Sequence, residues 1–374
     1  MAEEISKSNK ANKAKHSFRG TMEKTFDLIS LNFINYLSNP KISGQSLNDS
    51  NISDTNNEKE DSLDNSENDN TFIPDTRIDD EKNFVEAYIN TISDYIETSQ
   101  ESTLQGLNIS IKRYTDALFS KIKEENILTK ECSFLSLRSC SEILINIINK
   151  NYSKNLNFDF ETNKENSVKI TKDLRLMSIL SKEKISNFFG FAIQNGMTIL
   201  VHGYSSIVLF SLETAKKKGI NFTVLITEAR PENSGELMGK KLKEAGIDYK
   251  IILDISVGYF IMDVDAILVG ADAVCENGGI INRIGTFTIA CCAKRFKKPF
   301  YVMVESLKFL KIYPLNISDV PNTCLEFKSA ENDLDYKYGQ CDFTPPEFIT
   351  FLFTDIGIFT PSAVSDELIQ MFYN

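Results

Sequence analysis

Short apolar runs alternate with helical stretches from residue 196 onward, and this alternation constrains the fold more than any other feature of the sequence. The runs are four to six residues long and rich in Val, Ile, Leu and Phe. Such alternation predicts βαβ units and a parallel sheet covered on both faces, that is, a Rossmann-like α/β domain at 196–374. The predicted strands lie at 197–202, 222–227, 249–253, 266–269, 300–304 and 350–353, with helices at 206–218, 234–245, 286–296 and 361–372.

The chain before residue 196 has the spacing of helices instead. Apolar residues recur every three or four positions, with Lys, Glu, Asn and Ser between them, as in amphipathic helices. No proline falls between Pro74 and Pro231, which favours uninterrupted helices. We therefore predict an N-terminal all-helical domain at 17–195 after a flexible N-terminus at 1–16. Its predicted helices lie at 21–37, 84–96, 107–122, 135–148 and 174–193.

A polar segment interrupts the predicted helical domain. Between Lys41 and Asn70, 21 of the 30 residues are Asn, Ser, Asp or Glu. Such a segment buries too little apolar area to offset its ordering entropy, so we predict a disordered low-complexity insertion at about 39–80. A docking or phosphorylatable segment is the alternative, and a tolerated insertion is the commoner case.

Composition excludes several classes of protein. The 374 residues suit two domains, and the net charge of −11 argues against direct nucleic-acid binding. No apolar run is long enough to span a membrane, and the first sixteen residues lack the apolar core of a secretory signal. Seven cysteines without a CxxC pair suit reduced thiols, so we expect a cytoplasmic protein. Two histidines and no glycine-rich nucleotide loop predict no metal and no cofactor.

In a parallel sheet the ligand lies beyond the carboxyl ends of the strands, and the first predicted strand ends at such a place. It is followed by Gly203, which allows a tight exit, and by Ser205 and Ser206 at the start of the next helix. A helix start with free N–H groups and hydroxyls can hold a phosphate. The alternative is that Ser205 only caps the helix, and capping serines are far commoner than phosphate sites.

Arg230 follows the second predicted strand and precedes another helix. Its guanidinium can bind a phosphate in bidentate fashion. Alternatively it pairs with Glu228 or Glu232 and only shapes the loop. The residues alone leave both interpretations open.

The segment VGADAVCENGGIINRIGT at 269–286 holds the densest group of polar side chains. We interpret it as a loop with Asp272 at the strand tip and a Gly278-Gly279 turn, followed by Asn282 and Arg283 before the next helix. Lys308, after the strand that ends at 304, is a further phosphate partner. An acid, an amide and a base over a strand end suit a polyhydroxylated phosphate, with Asp272 binding hydroxyls or moving a proton. The alternative, a well-hydrogen-bonded loop, explains the glycines but not the charges.

Five segments together resemble the alpha regulatory subunits of eukaryotic translation initiation factor 2B. The resemblance runs almost continuously from about residue 197 to 373 and more weakly over STLQGLNISI at 102–111. The five segments are VHGYSS, TEARPENSG, ADAVCENGGIINRIGT, ESLKFLKIYPLNISDVP and FTDIGIFTPSAVSDEL. The same fold family includes the ribose-1,5-bisphosphate and methylthioribose-1-phosphate isomerases.

The resemblance to the isomerases implies roles for single residues. Asp272 corresponds to their catalytic acid and Asn282 to a substrate-binding residue, while Arg283 stands where they usually carry lysine. Ser205 and Ser206 match their phosphate-binding helix start, and Lys308 matches a lysine of their SYKF-like motif. Their catalytic cysteine, in a T-H-C-N-S motif, corresponds to Gly203, which cannot accept or deliver a proton.

The resemblance therefore implies a regulatory subunit without catalytic residues. Such a subunit joins the guanine-nucleotide exchange factor for initiation factor 2, helps bind that factor and senses phosphorylation of its alpha subunit. Implied partners are the other subunits of initiation factor 2B, a second copy through the C-terminal domain, and a sugar phosphate over the strand ends. The alternative function is a sugar-phosphate isomerase.

Overall fold

The computed structural model describes residues 81–124, 134–155, 157–320 and 339–373. The predicted flexible N-terminus at 1–16, the predicted helix at 21–37 and the predicted insertion at 39–80 lie outside these residues. The described residues from 84 onward belong to one compact unit.

Among the described residues, four helices precede the first strand, and they confirm the helical character of this part of the chain. The fourth begins at Phe160 rather than at 174, after Asp159, which accepts the N–H of Thr162 at 3.2 Å as its N-cap. In the part of this helix before residue 174, polar residues such as Asn163 and Thr171 are buried. Because the buried face is partly polar there, the sequence does not show the apolar spacing of an amphipathic helix. Among the residues described, no helix is both long and apolar enough to cross a membrane. The helices are α1 (Glu81–Thr98), α2 (Leu104–Glu124), α3 (Phe134–Lys154) and α4 (Phe160–Phe189).

A seven-stranded sheet forms the centre of the remaining chain, and all six predicted strands are confirmed to within one residue at each end. Its strands are β1 (Thr198–His202), β2 (Thr223–Thr227), β3 (Asp248–Ile252), β4 (Ala266–Val269), β7 (Phe300–Met303), β10 (Phe351–Thr354) and β11 (Gly357–Phe359). The helices that accompany it are α5 (Ser206–Lys217), α6 (Ser234–Glu244), the single turn α7 (Val257–Phe260), α8 (Thr286–Phe296) and α9 (Pro361–Tyr373).

The strand order is β11-β10-β7-β4-β1-β2-β3, and every pairing is parallel except that of β10 with β11. The chain runs outward from β1 through β2 to β3, and then returns to place β4 on the other side of β1. The order reverses between β1 and β4, and a crevice opens at such a reversal because the connections leave on opposite faces. The sequence predicts a site at the ends of these two strands.

The two faces of the sheet are buried in two hydrophobic cores. Alternate residues of a strand point to opposite faces, so Val201 packs with α4, α5 and α6 while Leu200 packs with α8 and α9. Burying one such side chain contributes about 1.5–3 kcal/mol. This covering fixes the sheet and hence the positions of its carboxyl ends.

The predicted loop at 269–286 is wrong, because most of this segment is a β-hairpin in a second sheet. This four-stranded sheet has the order β8-β5-β6-β9, with β5 (Ala273–Cys275), β6 (Ile280–Arg283), β8 (Phe309–Leu310) and β9 (Cys341–Thr344). The strands are too short for an alternating pattern, and β9 lies far along the chain from its partner β6.

Helix α3 packs on the second sheet and connects the helical region to it. Leu135 is buried in the core of that sheet. Ser136 Oγ donates to the carbonyl of Asp272 at 2.8 Å, and Ser139 Oγ donates to the carbonyl of Phe309. The hydroxyls of α3 therefore satisfy carbonyls beside the predicted site.

Candidate functional site

Gly203 leaves β1 with a left-handed backbone and almost no room for a side chain. Its φ is +61°, and a Cβ there would lie 2.7 Å from Ser234 Oγ and 3.0 Å from the Cβ of Ala229. Ser234 Oγ also accepts the N–H of Tyr204 at 3.3 Å. A side chain at position 203 would therefore require Ser234 Oγ to move and would place a non-glycine residue in a left-handed backbone conformation.

Ser205 and Ser206 are both buried at the start of α5. Ser205 is the N-cap residue by its backbone, but its side chain makes no capping hydrogen bond. Its hydroxyl instead lies against the end of β4, since a Cβ on Gly270 would come within 2.6 Å of Ser205 Oγ. The predicted N-cap position of Ser205 is correct, but the expected capping hydrogen bond is not formed. Its hydroxyl lies where the strand order reverses.

Asp272 is buried just beyond β4 and is in contact with two side chains. Arg283 Nε lies 3.9 Å from its Oδ2, and Cys341 Sγ donates to the same oxygen at 3.7 Å. Arg283 also binds Glu232 at 3.2 Å. The guanidinium therefore stands between two carboxylates, which neutralise it and hold it over the strand ends.

Arg230 is on the outside of this group. Its side chain is 61% exposed and pairs with Glu228 at 3.1 Å. The carboxylate of Asp254 accepts the backbone N–H groups of Ala229 and Arg230 at 2.9 and 2.7 Å. The structure thus matches the interpretation in which Arg230 shapes the loop.

Asn282 connects β6 to the start of α8. Its Nδ2 donates to Thr286 Oγ1 at 3.1 Å. Nearby, Asp342 of β9 accepts the N–H groups of Gly285 and Phe287 at 2.8 and 3.0 Å, as an N-cap supplied by a distant strand. Burial raises the pKa of Asp342 to about 7.

Lys308 is buried after β7 and donates to the carbonyl of Ala271 at 3.3 Å. Beside it, Ser181 Oγ of α4 donates to Glu305 Oε1 at 3.1 Å. Burial raises the pKa of Glu305, while the charges of Lys308 and Lys182 act in the opposite direction. Lys182 is itself buried, and it is a cation of the helical half that the sequence analysis missed.

A signal for Lys182 exists in the sequence. It falls on the stripe of α4 that carries Ser178 and Ile185, at three- and four-residue spacing, and that stripe is buried. Because a buried charge is costly without an opposite charge near it, a lysine on a buried stripe predicts a buried carboxylate nearby. Glu305 is such a carboxylate.

His202 is buried, and both of its ring nitrogens are hydrogen-bonded. A carbonyl can only accept, so Nε2 donates to Ile284 at 2.8 Å and Nδ1 accepts the hydroxyl of Thr227 at 2.6 Å. Burial lowers its pKa, so the neutral ring is favoured.

Comparisons with known proteins show the family to which this sequence belongs. Residues 79–361 match the Initiation factor 2 subunit family. Over 301 residues the chain is 41% identical to "Translation initiation factor eIF2B subunit alpha" of Dictyostelium discoideum, covering 76% of this chain and 90% of that protein. It is 32% identical to "Ribose 1,5-bisphosphate isomerase" of Methanocaldococcus jannaschii over 235 residues, covering 61% and 74%.

A solved structure shares the fold. The crystal structure of the tetrameric eIF2B-beta2-delta2 complex from C. thermophilum superposes with a TM-score of 0.63 at 17% identity, covering 79% of this chain and 90% of that one. At this identity the likeness concerns the fold alone. With the match over residues 79–361, the chain belongs to the Initiation factor 2 subunit family.

Proposed function

We propose that this chain is the alpha, regulatory and non-catalytic subunit of the exchange factor for initiation factor 2. The observation that carries the proposal is the 41% identity to an alpha subunit along 90% of that protein's length. In this role the chain assembles with the other subunits of initiation factor 2B, helps bind initiation factor 2 and senses its phosphorylated alpha subunit.

The test is purification of the tagged full chain from its own cells, with partners identified by mass spectrometry. We expect the other subunits of initiation factor 2B in stoichiometric amounts. Recovery of the chain without them at physiological salt would contradict the proposal. Adding initiation factor 2 with and without phosphorylation of its alpha subunit then tests the sensing role.

The strand ends support a second part of the proposal, a sugar-phosphate site that binds without turnover. In support, Ser205, Ser206, Asp272, Asn282 and Lys308 are each buried, and Arg283 contacts Asp272. Arg230 is exposed and paired with Glu228, so in this proposal it lies at the rim of the sugar-phosphate site. Gly203 corresponds to the cysteine of the isomerases by resemblance, and its lack of space supports the absence of that chemistry.

The alternative function is a sugar-phosphate isomerase, which the 32% identity to an archaeal isomerase favours. General acid–base assistance contributes roughly 10²–10⁴ in rate, so an enzyme without one partner should run near background. An assay for ketose product from ribose 1,5-bisphosphate separates the two functions. Product at enzymatic rates would replace the regulatory proposal with the isomerase.

A homodimer through the C-terminal domain completes the proposal. The apolar segment at 348–359 contains β10 and β11, and burial of Leu352 and Phe353 accounts for much of its hydrophobicity. A larger exposed apolar surface follows the opposite edge strand, β3. There Ile255 is 91% and Tyr259 81% exposed, beside exposed Leu253 and Met262.

A further inference from the structure

One ion pair links the loop between β2 and α6 to the second sheet. Glu232 belongs to that loop, and its Oε1 lies 3.2 Å from Nη1 of Arg283, the last residue of β6. The two side chains are 15% and 16% exposed, so water and salt screen the pair only in part. The pair therefore holds the loop to a residue of the proposed sugar-phosphate site.

The two ends of this loop are held unequally. Ala229 and Asn233 have φ values of +57° and +59°, and such left-handed conformations of non-glycine residues persist only where surrounding contacts maintain them. Asp254 accepts the N–H groups of Ala229 and Arg230 at the first end. At the other end, Asn233 Oδ1 is buried without a hydrogen-bond partner among the described residues. The ion pair of Glu232 therefore supports the less satisfied end of the loop.

Both edges of the Arg283 guanidinium that can hold a phosphate face a carboxylate. A guanidinium binds an oxyanion in bidentate fashion through Nη2 together with either Nε or Nη1. Nε lies 3.9 Å from Asp272 Oδ2, and Nη1 donates to Glu232 Oε1. A phosphate that takes two N–H groups of Arg283 must therefore replace one of the two carboxylates.

Glu232 is the carboxylate that can be replaced. The side chain of Asp272 is 3% exposed, and its Oδ2 also accepts the thiol of Cys341 at 3.7 Å, so moving Asp272 from Arg283 would leave a buried charge without its cation. Glu232 is less buried and lies on a loop, so rotation of its side chain brings the carboxylate into solvent. A phosphate monoester carries about two negative charges at pH 8 and attracts the guanidinium more strongly than one carboxylate does.

We propose that Glu232 is a counter-ion of Arg283 in the empty site, that the phosphate of a sugar phosphate replaces it there, and that this replacement frees the β2–α6 loop from the second sheet. The inference rests on the proposed sugar-phosphate site and adds its regulation. Asp254 keeps the first end of the loop in place, so the change is confined to the end that carries Glu232 and Asn233. The conformation of this loop then reports whether the site is occupied.

The first test is titration calorimetry of the full chain with ribose 5-phosphate and with inorganic phosphate at pH 8. Glu232→Gln removes the competing charge and keeps the size of the side chain, so both ligands should bind about 3- to 30-fold more tightly. Glu236→Gln is the matched control, because Glu236 is an exposed carboxylate in the first turn of α6, and it should change the affinity less than about twofold. Damage to the fold lowers affinity, so it does not imitate this gain.

The second test is hydrogen–deuterium exchange of the segment at 228–236, measured by mass spectrometry. Saturating ribose 5-phosphate should speed the exchange of this segment in the unmodified chain, because local opening becomes easier when the ion pair is lost. In Glu232→Gln the segment should exchange fast without ligand and change little when ligand is added. The buried strand β1 is the internal reference, and its exchange should stay the same.

The outcomes separate this inference from the proposed site. Equal affinity of Glu232→Gln and the unmodified chain, or a loop whose exchange slows or stays constant on binding, would overturn the inference and leave the site standing. Binding of ribose 5-phosphate by Glu232→Gln alone would support the inference. Failure of both chains to bind either ligand would overturn the inference and the site, while the subunit assignment depends on the purification alone.

Discussion

The hydroxyl of Ser234 fills the space that a side chain on Gly203 would need, with 2.7 Å between Ser234 Oγ and the position of a Cβ on residue 203. Ser234 begins α6 and Gly203 directly follows β1, so two connections of the sheet meet at this point. The first strand end is therefore closed to larger residues by packing as well as by its backbone.

Gly203→Ala should lower the unfolding free energy by about 1–3 kcal/mol through the left-handed backbone, and further through contact with Ser234. Gly219→Ala is the control, because Gly219 has a φ of +83° and no neighbouring atom within 4 Å. Its loss should be the backbone cost alone, about 1–3 kcal/mol, and smaller than that of Gly203→Ala. Denaturant titrations measure both, and equal losses would show that Ser234 moves aside freely.

Arg283 and Arg230 should respond very differently to substitution. Arg283→Met leaves Asp272 and Glu232 without their shared cation, and should destabilise the protein by about 2–4 kcal/mol. Arg230→Ala breaks an exposed pair, and should change stability by less than about 1 kcal/mol. Thermal unfolding at low and moderate salt distinguishes them, and similar losses would contradict the burial of the Arg283 pairs.

Asp342 should make stability fall as the pH rises towards neutrality. Its pKa is raised from 3.8 to about 7 in the folded chain, so the folded state holds the proton more tightly than the unfolded state. The resulting stabilisation is fully present below about pH 4 and is lost as the pH rises through 7.

Asp342→Asn keeps an oxygen for the N–H groups of Gly285 and Phe287 but does not titrate. The difference in unfolding free energy between pH 5 and pH 8 should therefore shrink by about 1–3 kcal/mol. Asp263→Asn, at an exposed position, should leave that difference as it is. An unchanged pH profile in Asp342→Asn would contradict the raised pKa.

Ile255→Asp should convert the proposed homodimer into a monomer, because a charge in a dimer interface is costly to desolvate. Light scattering at micromolar concentration measures the change. Phe191→Asp is the control, since Phe191 is comparably exposed after α4. A chain that is monomeric before substitution would contradict the dimer, and a dimer that survives Ile255→Asp would place its interface elsewhere.

The main sheet could be predicted from the sequence because its strands are buried on both faces. A continuous apolar run such as AILV at 266–269 between helices leaves few alternatives. The second sheet could not, since β8 has two residues and β5 three. Its strands contain Asp, Asn and Cys, and their pairing depends on contacts distant in the sequence.

Part of the candidate site could also be predicted, because the strands of the main sheet could be located in the sequence. Asp272 and Lys308 lie shortly after the ends of β4 and β7, where the rule for parallel sheets expects a ligand. Lys182 and Asp342 escape that rule, because one lies within a helix and the other on a late strand. A charged residue in a helix ordinarily lies on the solvated face, and only the packing of α4 shows that Lys182 does not.

The two hydroxyls that α3 donates to the carbonyls of Asp272 and Phe309 have a thermodynamic consequence. A ligand that shifts either carbonyl must also shift the helix, so the cost of moving α3 becomes part of the ligand's affinity. Coupling free energies are reciprocal. A protein that binds the helices and changes the ligand's affinity by some factor will find its own affinity changed by that same factor when the ligand is bound.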